Sequence, residues 1–247
     1  MGLLGFAGCL IGFGQNLEDL PEPHSVTVPQ LTANLSLDGA LSEPAWARAA
    51  SLRNFWLNDG RGPGLEATRV KLFYDDEALY LGWVCEDSDI QATLTERDSR
   101  FWEEEVVEFF VTTGPLNKYF ELQWNPLGAV FDAIIENRLD GNGRSVRFEG
   151  DWRYTASRMR SGVSVIGTVQ RSGDRDQRWV VEAKVPFRDL ETSMPQPGTV
   201  WRGNFYRFNR TTGSPVQMLS WSPTCLKGFH QPSRFGYLRF VGKEKEE

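Results

Sequence analysis

From about residue 25 onward, apolar and polar positions alternate in short runs divided by turn-forming residues, a two-residue period that predicts β-strands. In "TRVKLFYDDEALYLGWVCED", Val70, Leu72 and Tyr74 alternate with Arg69, Lys71 and Phe73, and an Asp-Asp-Glu turn follows, so the segment reads as a hairpin. "EEVVEFFVTTGPLNKYFELQWNPLGAVFDAIIEN" continues as three strands broken at "TGPLN" and "NPLG", where Pro and Gly supply turn angles. "SGVSVIGTVQRSGDRDQRWVVEAKVPF" reads as two strands around a polar Gly-Asp turn, and "WRGNFYRFNR", "VQMLSWSP" and "RFGYLRF" as further strands. Helical signal is confined to "EPAWARAA" and "FRDLET", and no tandem repeat is present. Short strands at regular spacing predict an all-β fold. We expect a single antiparallel β-sandwich, jelly-roll or immunoglobulin-like, with ten or more strands, short helical turns, and Trp46, Phe73, Phe109 and Trp179 in its core.

A chain of 247 residues can bury one substantial core, so one domain over residues 25–242 is expected, preceded by an apolar segment, 1–24, and followed by a charged tail, 243–247. The formal net charge is −6 and the 27 basic residues are scattered, without the basic stripe of a nucleic-acid binder. Nine Trp exceed what a core of ordinary composition uses, which points to aromatic rings on a surface. Three cysteines do not make a disulfide framework: Cys85 falls in a strand and reads as a buried thiol, Cys225 falls in a loop, and a bridge between them stays open. The uncharged opening "MGLLGFAGCLIGFG" is too short to span a bilayer, so no transmembrane span is expected. It is close to the apolar part of an export signal but lacks the preceding basic residues. "FAGC" resembles a bacterial lipoprotein cleavage box with Phe6 where Leu is usual, making Cys9 the candidate lipid anchor of an exported protein, whether periplasmic, cell-surface or extracellular.

The stretch "SRFWEEEVVEFF" places an acid, Glu108, between Val107 and Phe109. In a strand from Glu105 to Thr112, Val107, Phe109 and Val111 share one face and Val106, Glu108 and Phe110 the other. Phe109 can then fill the core while Glu108 looks out of the opposite face.

Six segments in order resemble the family 9 carbohydrate-binding modules, covering nearly all of residues 34–241: "LDGALSEPAWARA", "TRVKLFYDDEALYLGWVCED", "FWEEEVVEFF", "YFELQWNPLGAVFDA", "VVEAKVPF" and "FHQPSRFGYLRF". The resemblance implies a non-catalytic β-sandwich that grips a sugar between two aromatic rings. In the better-known members the ligand is the reducing end of a plant polysaccharide, so the partner expected here is a mono- or oligosaccharide or a polysaccharide chain end, bound by a monomer that requires no cofactor. By position, one ring matches Trp102 and the other Phe229, three residues before Pro232. A pyranose has faces of C–H groups that pack on aromatic rings and equatorial hydroxyls that need acceptors at the slot edge, a role open to Glu108. Gln123 matches an amide-bearing position, whereas Glu121 stands where the family has a basic residue. Asn125 shares their strand face and serves either the sugar or the adjoining turn. "LKG", just before Phe229, replaces polar residues of the best-known members.

Other chemistries compete for these residues. Glu103 to Glu105 read as a solvated loop that could contribute to a structural Ca²⁺ site, although no EF-hand spacing exists. Glu108 and Glu121, on neighbouring strands, could approach the carboxylate separation of a glycosidase, about 5 to 9 Å. Haem is a further rival, since related sandwich domains hold it between axial side chains. Only His24 and His230, with Met159, Met194 and Met218, are available as ligands, and no Cys-x-x-Cys-His motif occurs.

Overall fold

The computed structural model describes residues 17–171 and 173–243. The apolar opening around Cys9 and the last four residues of the tail lie outside these. Among the described residues fourteen strands form two sheets packed face to face. β1 (Ser25–Pro29), β3 (Trp56–Leu57), β6 (Val106–Thr112), β7 (Lys118–Trp124), β8 (Val130–Leu139), β9 (Ser145–Asp151), β12 (Val200–Asn209), β13 (Gln217–Ser220) and β14 (Gly236–Val241) make the larger sheet. Its main path runs β1-β14-β12-β6-β7-β8-β9, with β13 on β12 and β3 on β13. β10 (Arg160–Ile166), β11 (Arg178–Pro186), β5 (Ala78–Glu86), β4 (Thr68–Tyr74) and β2 (Ala50–Leu52) make the smaller, in that order. Pairing is antiparallel except between β1 and β14, which run parallel. Parallel neighbours need a long connection, and here nearly the whole sandwich lies between the two. No described helix is long and apolar enough to cross a membrane.

The core fills the space between the sheets. Val107, Phe109 and Val111 of β6 face Trp83 and Cys85 of β5 and Trp179 and Val181 of β11, all buried. The Phe109 ring stacks on Phe205 of β12 at 4.8 Å, and Trp83 meets Phe205 edge-on at 5.5 Å. Each such ring, buried, contributes on the order of 1.5–3 kcal/mol. Arg207 projects from β12 into this core and is fully buried; it donates to Asp87 Oδ2 at 2.8 Å and to the Glu86 carbonyl at 2.9 Å, and lies 3.6 Å from Glu105. Cys85 and Cys225 are both buried, and no disulfide joins the two. Burial pushes the Cys85 thiol up to about 12.

The outer face of the smaller sheet is covered by the segment before β2. Pro44 opens the one-turn helix α1 (Pro44–Arg48), which buries Trp46 against Phe73 at 5.1 Å. Glu182 of β11 ties this cover down, accepting from Trp46 Nε1 at 2.7 Å and from the Gly39 amide at 2.8 Å. Gly162 of β10 lets the cover lie flat, because a Cβ there would overlap the Leu37 carbonyl. This packing buries Trp46 and Phe73 alongside the two inter-sheet residues Phe109 and Trp179.

Candidate functional site

The outer face of the larger sheet carries a second apolar cluster. Strand alternation assigns its members: Val106, Glu108 and Phe110 from β6, Tyr119, Glu121 and Gln123 from β7, Phe131, Ala133 and Ile135 from β8, and Tyr206 and Phe208 from β12. Two loops close over this face, 91–104 and 222–235, and leave a cavity of about 400 Å³, within the ordinary span of small-ligand sites. Trp102, Phe131, Phe148, Trp152, Phe208 and Phe229 wall it, and Glu108 and Glu121 lie among its lining residues.

Trp102 sits on the turn Phe101–Glu103, half-buried, with its carbonyl held by Arg210 Nη2 at 2.7 Å. Its ring meets Phe131 at 5.7 Å and Trp152 at 5.8 Å, both edge-on, and Phe131 meets Trp152 at 5.5 Å. The three rings brace one another. Phe229 is set from the opposite loop. One of its faces stacks on Tyr206 at 4.1 Å, and Tyr206 donates to the Phe229 carbonyl at 3.1 Å. Phe229 is only 3% exposed, so it is more a wall of the cavity than an outward-facing ring. Asn58 fixes this loop from below, donating to the Gly228 carbonyl at 3.0 Å and to Thr224 Oγ1 at 2.8 Å.

Glu108 and Gln123 are opposed across β6 and β7, and Phe110 opposes Glu121, so the two glutamates are diagonal neighbours on one face, about 7–8 Å apart by sheet geometry. Glu108 is 2% exposed, and its carboxylate makes no hydrogen bond or ion pair among the described residues. Glu121 accepts only from Gln123 Nε2, at 2.5 Å. Burial pushes Glu121 up to about 8; burial and the Glu121 charge hold Glu108 well above the usual carboxylate range. His230 is also in the lining, its ring stacked on Phe148 at 3.6 Å and its Nδ1 2.7 Å from the Tyr119 hydroxyl. Burial lowers its pKa to about 4, which keeps it neutral at pH 7. No Lys or Arg among the described residues lines the cavity.

Of the six expected site residues, Trp102, Phe229, Glu108 and Glu121 meet here. Gln123 lies beneath, fully buried, and orients Glu121. Asn125 does not reach the cavity: its side chain accepts from the Ala129 amide at 2.9 Å and donates to the Leu94 carbonyl at 2.7 Å, which uses it up in the β7–β8 turn. Glu103, Glu104 and Glu105 diverge. Glu103 is exposed beside Arg100, Glu104 accepts from the Thr93 and Leu94 amides at 2.7 and 3.0 Å, and Glu105 turns inward to the Arg210 amide and Arg207. Among the described residues no group of three or more His, Cys, Asp or Glu side chains is placed to hold a metal ion. Of the haem-ligand candidates, His230 and Met218 line the cavity, but His24 packs on Trp221 and is not part of it, Met159 is in the core, and Met194 packs against the core's edge.

Phe148, Trp152, Phe131 and Phe208 complete the walls without having been expected. β9 supplies Phe148, and Trp152 follows directly after it. Trp152 lies flat on the strand because residue 150 is Gly: a Cβ there would overlap the indole Nε1. Two aromatics in the charged run "RSVRFEGDWR" were the available signal.

Residues 54–240 match the model of Carbohydrate-binding family 9. No curated protein matches the chain. Among solved structures, a protein of Bacteroides uniformis ATCC 8492 described as a candidate carbohydrate-binding protein superposes with a TM-score of 0.68 at 19% identity, covering 89% of this chain and 100% of its own. A family 9 module of Caldicellulosiruptor kristjanssonii in complex with cellotriose superposes at 0.61 with 15% identity, over 90% and 95% of the two chains. A family 9 module from the same organism in complex with glucose superposes at 0.57 with 14% identity, over 90% and 98%.

Proposed function

The chain belongs to carbohydrate-binding family 9, whose members are non-catalytic carbohydrate-binding modules, and from that we propose that it binds a sugar in the aromatic cavity on the outer face of its larger sheet. The observation that carries this reading is the enclosure of an unpartnered carboxylate, Glu108, by six aromatic walls in one cavity. Aromatic faces take the C–H faces of a pyranose, and a buried acceptor without a partner takes a hydroxyl proton. Trp102 and Phe229 form the two sides of the grip. Trp152 extends the Trp102 side, being half exposed where the cavity opens. A chain end fits a cavity of this volume better than the middle of a long polymer, which would need an extended groove. Modules of this fold with cellotriose and with glucose support a glucose-type unit.

Glu108 and Glu121 rise from the same sheet face into the same cavity, so they do not flank a bound bond from its two sides as paired hydrolytic acids do. Binding without cleavage is the reading their placement supports. A glycan array, repeated with reduced-end sugars and with Trp102→Ala, tests it. Chain-end sugars should be retained by the wild type and lost from the variant; no retention of any glycan would overturn the proposal.

A further inference from the structure

Among its described lining residues the cavity carries two glutamates and a set of aromatic rings, features that suit a cation. Glu108 is buried, opens on the cavity and has no partner among the described residues; Glu121 has only an amide. Trp102, Trp152, Phe148 and Phe229 line the same cavity, and an aromatic ring that presents its face to a cation attracts it. Among the described residues no basic side chain lines the cavity to offset this. Arg210 spends its guanidinium on the Trp102 and Glu104 carbonyls. We infer that the preferred ligand is an amino sugar with a free, cationic amine, a hexosamine unit whose ammonium sits at Glu108 and Glu121 while its ring packs between the aromatic walls. The inference rests on the cavity being the sugar site, and names the class of sugar.

A neutral sugar can donate one hydroxyl to Glu108 but brings no charge that would favour ionising either carboxyl. An ammonium donates up to three hydrogen bonds and supplies that charge, and charge-assisted bonds are the stronger kind. The N-acetylated sugar has lost the charge, and a uronic acid carries the wrong one. The groups that bear on the carboxyl pair are few. β6 contributes Glu108 itself, β7 Glu121 and Tyr119, β12 Tyr206, and the loop after β13 the neutral His230; the cavity residues from β8, β9 and β13 are uncharged. Raised carboxyl pKa values agree with this arrangement: burial favours the protonated form of both groups, and Glu121, pushed up to about 8, keeps its proton at neutral pH without a cation. Binding an ammonium therefore releases protons.

Titration calorimetry of the full chain with the deacetylated glucosamine trimer and with cellotriose, at about pH 6 where the amine is charged, tests this. The glucosamine trimer should bind at least about tenfold more tightly. Repeating it in buffers of different ionisation enthalpy should show net proton release with the glucosamine trimer and none with cellotriose. In Glu108→Gln combined with Glu121→Gln the ratio of the two affinities should fall to about one. If cellotriose binds as well as or better than the charged trimer, or if no proton is released, the inference is overturned and the sugar-binding reading stands. If neither trimer nor any other sugar binds, that reading fails and the inference with it. A ratio that persists in the double variant takes the selectivity away from these carboxylates, and the wild-type proton count decides should the variant not fold.

Discussion

Glu108 and Glu121 stand diagonally across the β6–β7 ladder, buried under aromatic rings, with Gln123 bonded to one and opposed to the other. An ordinary core would not contain two such acids without a basic partner. Their cost to the empty protein is the clearest sign that the cavity is made for an occupant, since buried polar groups without partners are destabilising.

That cost predicts how stability changes with pH. A glutamate whose folded pKa is raised binds its proton more tightly in the folded state, so its stabilising contribution is complete below the unfolded pKa and is lost as pH rises through the folded value. For Glu121 the window runs from about 4.5 to about 8. His230, lowered from 6.5 to about 4, acts in the opposite sense within its own window, so the fall is cleanest between about 6.5 and 8. Thermal melting of the sugar-free protein should show a midpoint falling across that upper interval, by up to about 1.4 kcal/mol per pH unit for one group. Glu121→Gln should flatten the fall.

Removal of the two gripping rings should separate affinity from stability. Trp102→Ala should cost about 1–2 kcal/mol of sugar binding with little change in melting temperature, since its ring is half-buried at the rim. Phe229→Ala should cost similar affinity and also lower the melting temperature, because Phe229 is 3% exposed and stacked on Tyr206. Calorimetry and melting on both variants check the contrast; equal melting shifts would count against it.

Gly150→Ala should behave as a displaced-tryptophan variant. The added Cβ has no room under the Trp152 indole, so that ring must lift from β9 and from its edge contacts with Trp102 and Phe131. Sugar affinity should drop several-fold, as it should for Trp152→Ala, while the core between the sheets is untouched.

Asn58 should influence binding from a distance. Asn58→Ala removes the donor to the Gly228 and Leu226 carbonyls and leaves them without that partner, so the loop carrying Phe229 loosens. The expected result is a drop in affinity together with a stability loss of about 1–3 kcal/mol, measured by denaturant titration.

Much of this was legible before the fold was seen. The β4–β5 hairpin, the β6–β7–β8 meander and the β10–β11 pair follow from alternation and turn residues. Parity put Glu108 on the face opposite Phe109. What parity could not show is that the outer face is covered: its burial depends on loops 91–104 and 222–235, far away in sequence. β9 is faint in the sequence because "SVRFEGD" has only Val146 and Phe148 to alternate with Arg147, Glu149 and Asp151, and lies on an exposed edge strand. With it went Phe148 and Trp152. Asn125 fitted the strand parity, but a residue beside Pro and Gly answers first to the backbone of its turn.

A crystal structure of the protein grown with saturating glucosamine trimer shows whether a sugar ring occupies the cavity between Trp102 and Phe229. The terminal pyranose should pack against both rings, at the stacking distances of aromatic contacts, about 4.5–7 Å, with its amine within hydrogen-bond reach of Glu108. A sugar on another surface with this cavity empty would contradict it.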